Sequence, residues 1–176
     1  MAHLSVPVSA NDHIDGFASA PVTLVEYGDY QCPYCAEAHV VVKNLQRDLN
    51  RNLRFIFRNF PIKEAHPMAL LAAEYAEAAA LQNKFWEMHD RIFENQKKLS
   101  PETLLKFAEQ LQLDTKKLNH DLHSLRVKNK IDDDFSSGAR SGVNGTPCFY
   151  INEERFNGEA SSDELMQAIE AVSKSI

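Results

Sequence analysis

The chain reads as an α/β fold in which a long all-helical stretch interrupts the strands. Three observations predict it. Runs rich in β-formers lie near both ends, at about 22–29, 53–58 and 146–151. Helical spacing follows the first run from Ala36, and it closes the chain through Leu165, Ile169 and Val172. Between Pro61 and about Gly142 only helical patterns occur.

In chain order, residues 1 to about 20 are polar and mixed. Asp12, Asp15 and Gly16 break any periodicity, so an extended arm is expected. Thr23-Leu24-Val25-Glu26-Tyr27 is the first strand. Glu26 stands in an apolar setting, where a carboxylate is costly unless it serves a purpose; the alternative is a glutamate facing solvent. Pro33 suits the first turn of a helix over about 33–49, with Ala38, Val41, Val42 and Leu45 on one face. Leu53 to Arg58 alternates as a second strand and stops at Asn59-Phe60-Pro61.

The helical stretch begins with a stripe of Met68, Leu71, Ala72, Tyr75 and Ala79, then another of Phe85, Met88, Ile92 and Phe93. Ser100-Pro101-Glu102 opens a third helix with Leu104, Ala108 and Leu111 inward. Asp114 caps a fourth, expected to bury Leu118, Leu122 and Leu125, and Ile131 and Phe135 carry a last piece. Gly138, Gly142 and Gly145 mark its exit. After the strand at 146–151 comes the turn Asn152-Glu153-Glu154 and a short return at Arg155-Phe156. Ser161 with Glu164 reads as a capping box for the closing helix. The organisation is therefore 1–61, an arm and the first part of the sheet domain; 62–142, a helical insertion; and 143–176, the second part.

Cys32-Pro33-Tyr34-Cys35 falls where the first strand gives way to a helix. Cys32 then sits at the helix N-terminus, where free N–H groups and the macrodipole favour a thiolate. A thiolate is the form that attacks disulfides and binds metals. Three readings are open. The pair is a redox dithiol, for which strand–CxxC–helix is the required setting. It is half of a zinc site, with His39, four residues after Cys35, as a further ligand. Or it is two buried core cysteines. No cation adjoins Cys32, and Asp29 and Glu37 are acids nearby, so its pKa is expected at about 5.5–7.5. Cys148 reads as a small residue starting a core strand. His66 is a local hydrogen-bonding residue before Pro67, and His89, His120 and His123 sit in helical patterns with no evident partner.

At 176 residues the chain holds one domain, or one with a sizeable insertion, and its composition is that of a soluble globular protein. Its net charge of −6 argues against a nucleic-acid binder, and Lys43, Arg47, Arg51, Arg54 and Arg58 read as a solvated face. Nothing approaches the roughly 18 consecutive apolar residues of a membrane span. Three cysteines are too few for a disulfide-stapled scaffold. The first twenty residues lack the cationic start and apolar core of a signal peptide. The expected location is the cytoplasm as written, or the periplasm or another exported compartment for a trimmed mature chain.

Together these features resemble the DsbA-like branch of the thioredoxin superfamily, over about residues 20–174. Glu26 six residues before Cys32-Pro33-Tyr34-Cys35, Thr146-Pro147 opening a strand, and Phe57-Arg58-Asn59-Phe60-Pro61 followed by His66-Pro67 carry the resemblance. It implies a thioredoxin fold, a mixed central sheet flanked by helices, with the helical insertion as the mark of the branch. It implies thiol–disulfide exchange with protein substrates, needing no bound cofactor and no metal, and a recycling redox partner. Cys32 would be the exposed nucleophile, Cys35 the resolving thiol and Glu26 the buried acid that moves a proton to or from Cys35. Pro147 would be a cis-proline, leaving the backbone of Thr146 to pair with substrate, beside Pro33 and Tyr34. A Pro-Tyr pair is similar to that of glutaredoxins and leaves the direction of electron flow open. The rival readings are a non-catalytic peptide- or zinc-binding module on the same fold, and a glutathione-dependent transferase or isomerase relative.

Overall fold

The computed structural model describes residues 2–174. In order, the elements are β1 (His13–Gly16), β2 (Val22–Gly28), α1 (Pro33–Leu49), β3 (Leu53–Asn59), α2 (Ala69–Ala80) and α3 (Phe85–Glu94). There follow α4 (Pro101–Gln110), α5 (Thr115–Leu122), α6 (Leu125–Ser141), β4 (Cys148–Ile151), β5 (Glu154–Arg155) and α7 (Ser162–Ser173). The strands form one mixed sheet in the order β1-β3-β2-β4-β5. β2 and β3, joined through α1, run parallel; every other neighbouring pair is antiparallel.

β2 is central and buried along its whole length, which is why it reads as a continuous apolar run rather than an alternation. Side chains alternate between the two faces. Leu24, Phe57 and Phe149 join Cys35, Val42, Leu165, Ile169 and most of the insertion in the main core. Val25, Tyr27, Ile56 and Tyr150 pack with Leu4, Phe60, Val143 and Cys148 in a second core on the other face. Within the insertion α2 is buried on nearly every side, because its alanines let α3, α5 and α6 approach closely. Gly138 serves the same end: a Cβ there would lie 2.8 Å from ring carbons of both Phe60 and Tyr27. It therefore sits inside α6, and Gly142, at φ 88°, is the residue that ends the helix.

A buried polar junction ties the insertion to the sheet. Asn59 donates through Nδ2 to Glu77 (2.7 Å) and to Asp134 (3.0 Å), and its backbone N–H also reaches Asp134. His13 Nε2 meets Glu77 at 2.8 Å. Arg58, expected on a solvated face, is instead buried, paired with both oxygens of Asp12 and donating to the Tyr27 hydroxyl. The alternation of β3 turns it into the second core, where an unpaired guanidinium would be prohibitive. The Arg58-Asn59 pair is thus the joint between the two parts of the chain.

The N-terminal arm also departs from expectation. Residues 13–16 add an antiparallel strand to β3, with Ile14 opposite Ile56. Residues 2–4 line the far side of the sheet: Leu4 N–H donates to Glu153 O, Arg155 N–H donates to Ala2 O, and His3 bridges Glu154. Leu125 is 74% exposed rather than inward, because Ser124 caps a new helix there by accepting from the Val127 N–H. Ser161 caps α7 through the Glu164 N–H, but the Glu164 carboxylate accepts from the Glu159 N–H, so the capping box is half formed.

Candidate active site

The site is built where β2 runs into α1. Cys32 is the N-cap residue, with extended backbone (φ −70°, ψ 122°), and Pro33 follows in the first turn. The loop before it winds around Asp29, which is wholly buried. Asp29 Oδ1 accepts from the N–H groups of Gln31 (2.7 Å) and Cys32 (3.2 Å); Oδ2 accepts from the Ile62 N–H (2.7 Å) and meets His66 Nδ1 (2.9 Å). From the insertion, Gln96 Nε2 donates to the carbonyls of Cys32 (2.8 Å) and Tyr30 (3.0 Å). The cysteine turn is held from both sides.

Cys32 and Cys35 are free thiols with opposite tendencies. A hydrogen bond from the Cys35 thiol, assisted by the backbone N–H groups of Cys35 and Tyr34, lowers the Cys32 pKa to about 5 against the cost of burial. That is below the range expected from the helix terminus alone, because the second sulfur is itself the strongest donor. Burial, then its bond to Cys32, raises the Cys35 thiol well above its ordinary value. Nor is Cys32 openly exposed: it keeps 4% of its surface, while Cys35 keeps none.

Glu26 lies on the face of β2 that carries α1, in register with Phe57 and Phe149. It is buried, and its Oε1 has no hydrogen-bond partner. Burial, and then the negative charge on Cys32, pushes its pKa up to about 8. Gly28 leaves it room, since a Cβ there would come within 3.0 Å of Oε1 and 2.3 Å of the Phe57 ring.

The Thr146–Pro147 bond is cis. Cys32 Sγ lies 3.3 Å from the Thr146 carbonyl oxygen, and the Thr146 hydroxyl is buried without a hydrogen-bond partner. Pro33 and Tyr34 are exposed, Tyr34 at 67%. Tyr34, Glu37, Val41, Thr146, Pro147 and Phe156 line an open groove of about 730 Å³ beside the dithiol. The seven residues singled out from sequence therefore sit around one turn.

Two other groups lie apart from it. Cys148 packs in the second core, and burial raises its thiol pKa. His39 turns from the cysteines towards α3, stacking on Phe93 at 5.2 Å with Nε2 3.7 Å from Asp90. A sequence reading passes over Asp29, Gln96 and His66 as site residues. For Asp29 and His66 the signal was their closeness to the cysteine pair and to Pro67; Gln96 gives none.

Residues 9–171 match the family described as Thioredoxin. The chain is 29% identical to a thioredoxin-like oxidoreductase from Silicibacter pomeroyi DSS-3, with a TM-score of 0.81 over 94% of each chain. It is 25% identical to oxidised BdbD from Bacillus subtilis, with a TM-score of 0.87 over 98% of each chain. Among curated relatives, Na(+)/H(+) antiporter NhaA 1 of Salinispora arenicola is 42% identical over 167 residues, which are 94% of this chain and 26% of that protein. The chain thus spans about a quarter of the length of the curated relatives it matches. No helix among the described residues is long and apolar enough to cross a membrane. With its Cys-Pro-Tyr-Cys dithiol at the head of α1 and its helical insertion, the chain belongs to the thioredoxin family and has a DsbA-like fold within it.

Proposed function

We propose that the chain exchanges disulfides with protein substrates, with Cys32 as the nucleophile and Cys35 as the resolving thiol. The opposite polarisation of the two sulfurs carries this reading: Cys32 is a thiolate at neutral pH and Cys35 a thiol. In the reducing direction, Cys32 attacks one sulfur of a substrate disulfide, forming a mixed disulfide and releasing the other sulfur as a thiolate. Cys35 then gives its proton to the Glu26 carboxylate and attacks Cys32, which frees the second substrate thiolate and leaves a Cys32–Cys35 disulfide. Two electrons pass to the substrate; the reverse sequence oxidises a substrate dithiol. A Glu26 pKa of about 8 suits it to take or give that proton near neutrality. The Thr146 backbone, Pro147, Pro33 and Tyr34 would hold an extended substrate segment in the groove, and a separate redox partner would recycle the dithiol.

A stabilised Cys32 thiolate favours the reduced form and makes the disulfide oxidising. Its pKa of about 5 falls between those of thioredoxin (about 7) and DsbA (about 3.5). We expect a potential between theirs, which are about −270 and −120 mV. Such a couple suits work outside the reducing cytosol. The curated relatives are named as antiporters; we read the quarter of their length that matches this chain as their redox portion.

The test is equilibration against glutathione, together with insulin disulfide reduction by the wild type and by Cys32→Ser. A potential in the stated interval, with turnover abolished by Cys32→Ser, supports the reading. Failure to form the Cys32–Cys35 disulfide overturns it.

A further inference from the structure

Helix α1 carries a second group of chemistry-bearing side chains, one turn beyond Cys35. His39 meets His89 and Asp90 of α3, and the ligand atoms of all three lie within 4.8 Å of one another. We propose that His39, His89 and Asp90 form a site for a divalent metal of the zinc type, clasping the dithiol helix to the helical insertion.

Three observations support it. The His39 Nε2 to Asp90 Oδ1 separation is 3.7 Å; two ligands about 2.0 Å from a tetrahedral zinc stand about 3.3 Å apart, so this pair needs only a small closure. Asp90 Oδ1 is buried and has no hydrogen-bond partner, a costly state for a carboxylate oxygen that a cation would relieve. The other ring nitrogen of His89, Nδ1, is engaged by the buried Tyr30 hydroxyl at 3.0 Å. With Nδ1–H donating there, the Nε2 lone pair is free for the metal, and the ring is oriented as metal-bound histidines usually are.

The setting also gives the metal's class and its route in. Two imidazoles and one carboxylate suit Zn2+ or Co2+ rather than Ca2+ or Mg2+, which prefer all-oxygen shells. Asp90 is 30% exposed, so an ion reaches the site along that side. Lys43 Nζ, 2.9 Å from Asp90 Oδ2, orients the carboxylate but opposes a cation. Its removal should therefore strengthen binding.

The test is titration of the oxidised protein with Zn2+, and with Co2+ to read the ligands from the visible spectrum. The cysteine pair, a rival zinc ligand, is thereby closed, and a Cys32→Ser/Cys35→Ser variant provides the check. We expect one equivalent bound by both, without a thiolate charge-transfer band. Asp90→Asn and His39→Gln should each weaken binding by at least about tenfold, while Lys43→Met should tighten it. Urea midpoints without metal identify any variant that fails to fold, and Asp90→Asn, at the exposed edge, should keep its midpoint. No stoichiometric uptake overturns the proposal, as does uptake that Asp90→Asn and His39→Gln leave intact. A cobalt spectrum with thiolate bands that vanish without the cysteines overturns it too. The disulfide-exchange activity can stand or fall separately.

Discussion

Asp29 accepts the backbone N–H of Cys32 on one carboxylate oxygen and binds His66 at 2.9 Å on the other. One buried side chain thus joins the nucleophile's turn to the segment entering the insertion. Asp29→Ala would leave the N–H groups of Gln31 and Ile62 without an acceptor, while that of Cys32 would keep only the Asp29 backbone carbonyl. It should cost about 2–4 kcal/mol in urea unfolding. His66→Ala, which removes only one of the groups that meet Asp29, should cost about 1 kcal/mol. Equal losses in the two variants would show that Asp29 does not organise this turn.

Cys35 is the largest influence on the Cys32 sulfur. The thiolate absorbance of the reduced protein should therefore titrate near 5, and in Cys35→Ala the midpoint should rise towards the ordinary thiol value of about 8.5. An unmoved midpoint would transfer the effect to the helix terminus and Thr146.

Glu26 gives a pH signature whose sign is fixed. Its folded pKa of about 8 lies above the ordinary carboxyl value of 4.5, so across that interval the folded chain holds a proton that the unfolded chain has released. Stability from this group is full below about 4.5 and is lost as pH rises through about 8. Relative to Glu26→Gln in the same redox state, the wild type should lose up to roughly 5 kcal/mol over that window. Comparing both proteins in one redox state matters, because the depressed Cys32 pKa acts oppositely: its contribution is lost as pH falls through about 5. A pH-independent difference between the two proteins would mean that Glu26 is not a buried acid.

Gly138→Ala forces a methyl into the Phe60 and Tyr27 rings at 2.8 Å. Although alanine is the better helix former, the variant should lose about 1–3 kcal/mol, measured by thermal or urea unfolding. A gain in stability would mean that α6 can move off the sheet without penalty.

Much of this was readable because the relevant signals are local. Pro33 after Cys32 fixed the start of α1, and the Ser100-Pro101 pair fixed that of α4, since caps act within a few residues. What stayed hidden depends on distant partners. β1 is four residues of mixed polarity whose bonds go to β3, forty residues away, so no periodicity betrays it. Arg58 looks like a surface cation until Asp12 and the Tyr27 hydroxyl are brought to it. His89 did carry a signal, standing four residues from both Phe85 and Phe93 on an apolar stripe, but its partner Tyr30 lies in another element. The cysteine motif placed the dithiol, whereas the loop that holds it rests on Asp29 and Gln96, residue types that turn up on any surface.

The N-terminal arm has a further consequence, for self-association. Open sheet edges are templates on which identical chains can stack into fibrils. Here one short segment of chain occupies both margins, as β1 at one and as residues 2–4 alongside β5 at the other. The outermost strand at one margin is only four residues long and carries Asp15 and Gly16. At the other margin the ladder narrows to a single bridge at His3. Neither flank offers the long, flat, apolar rail that runaway polymerisation needs, so the molecule is poorly shaped to recruit copies of itself.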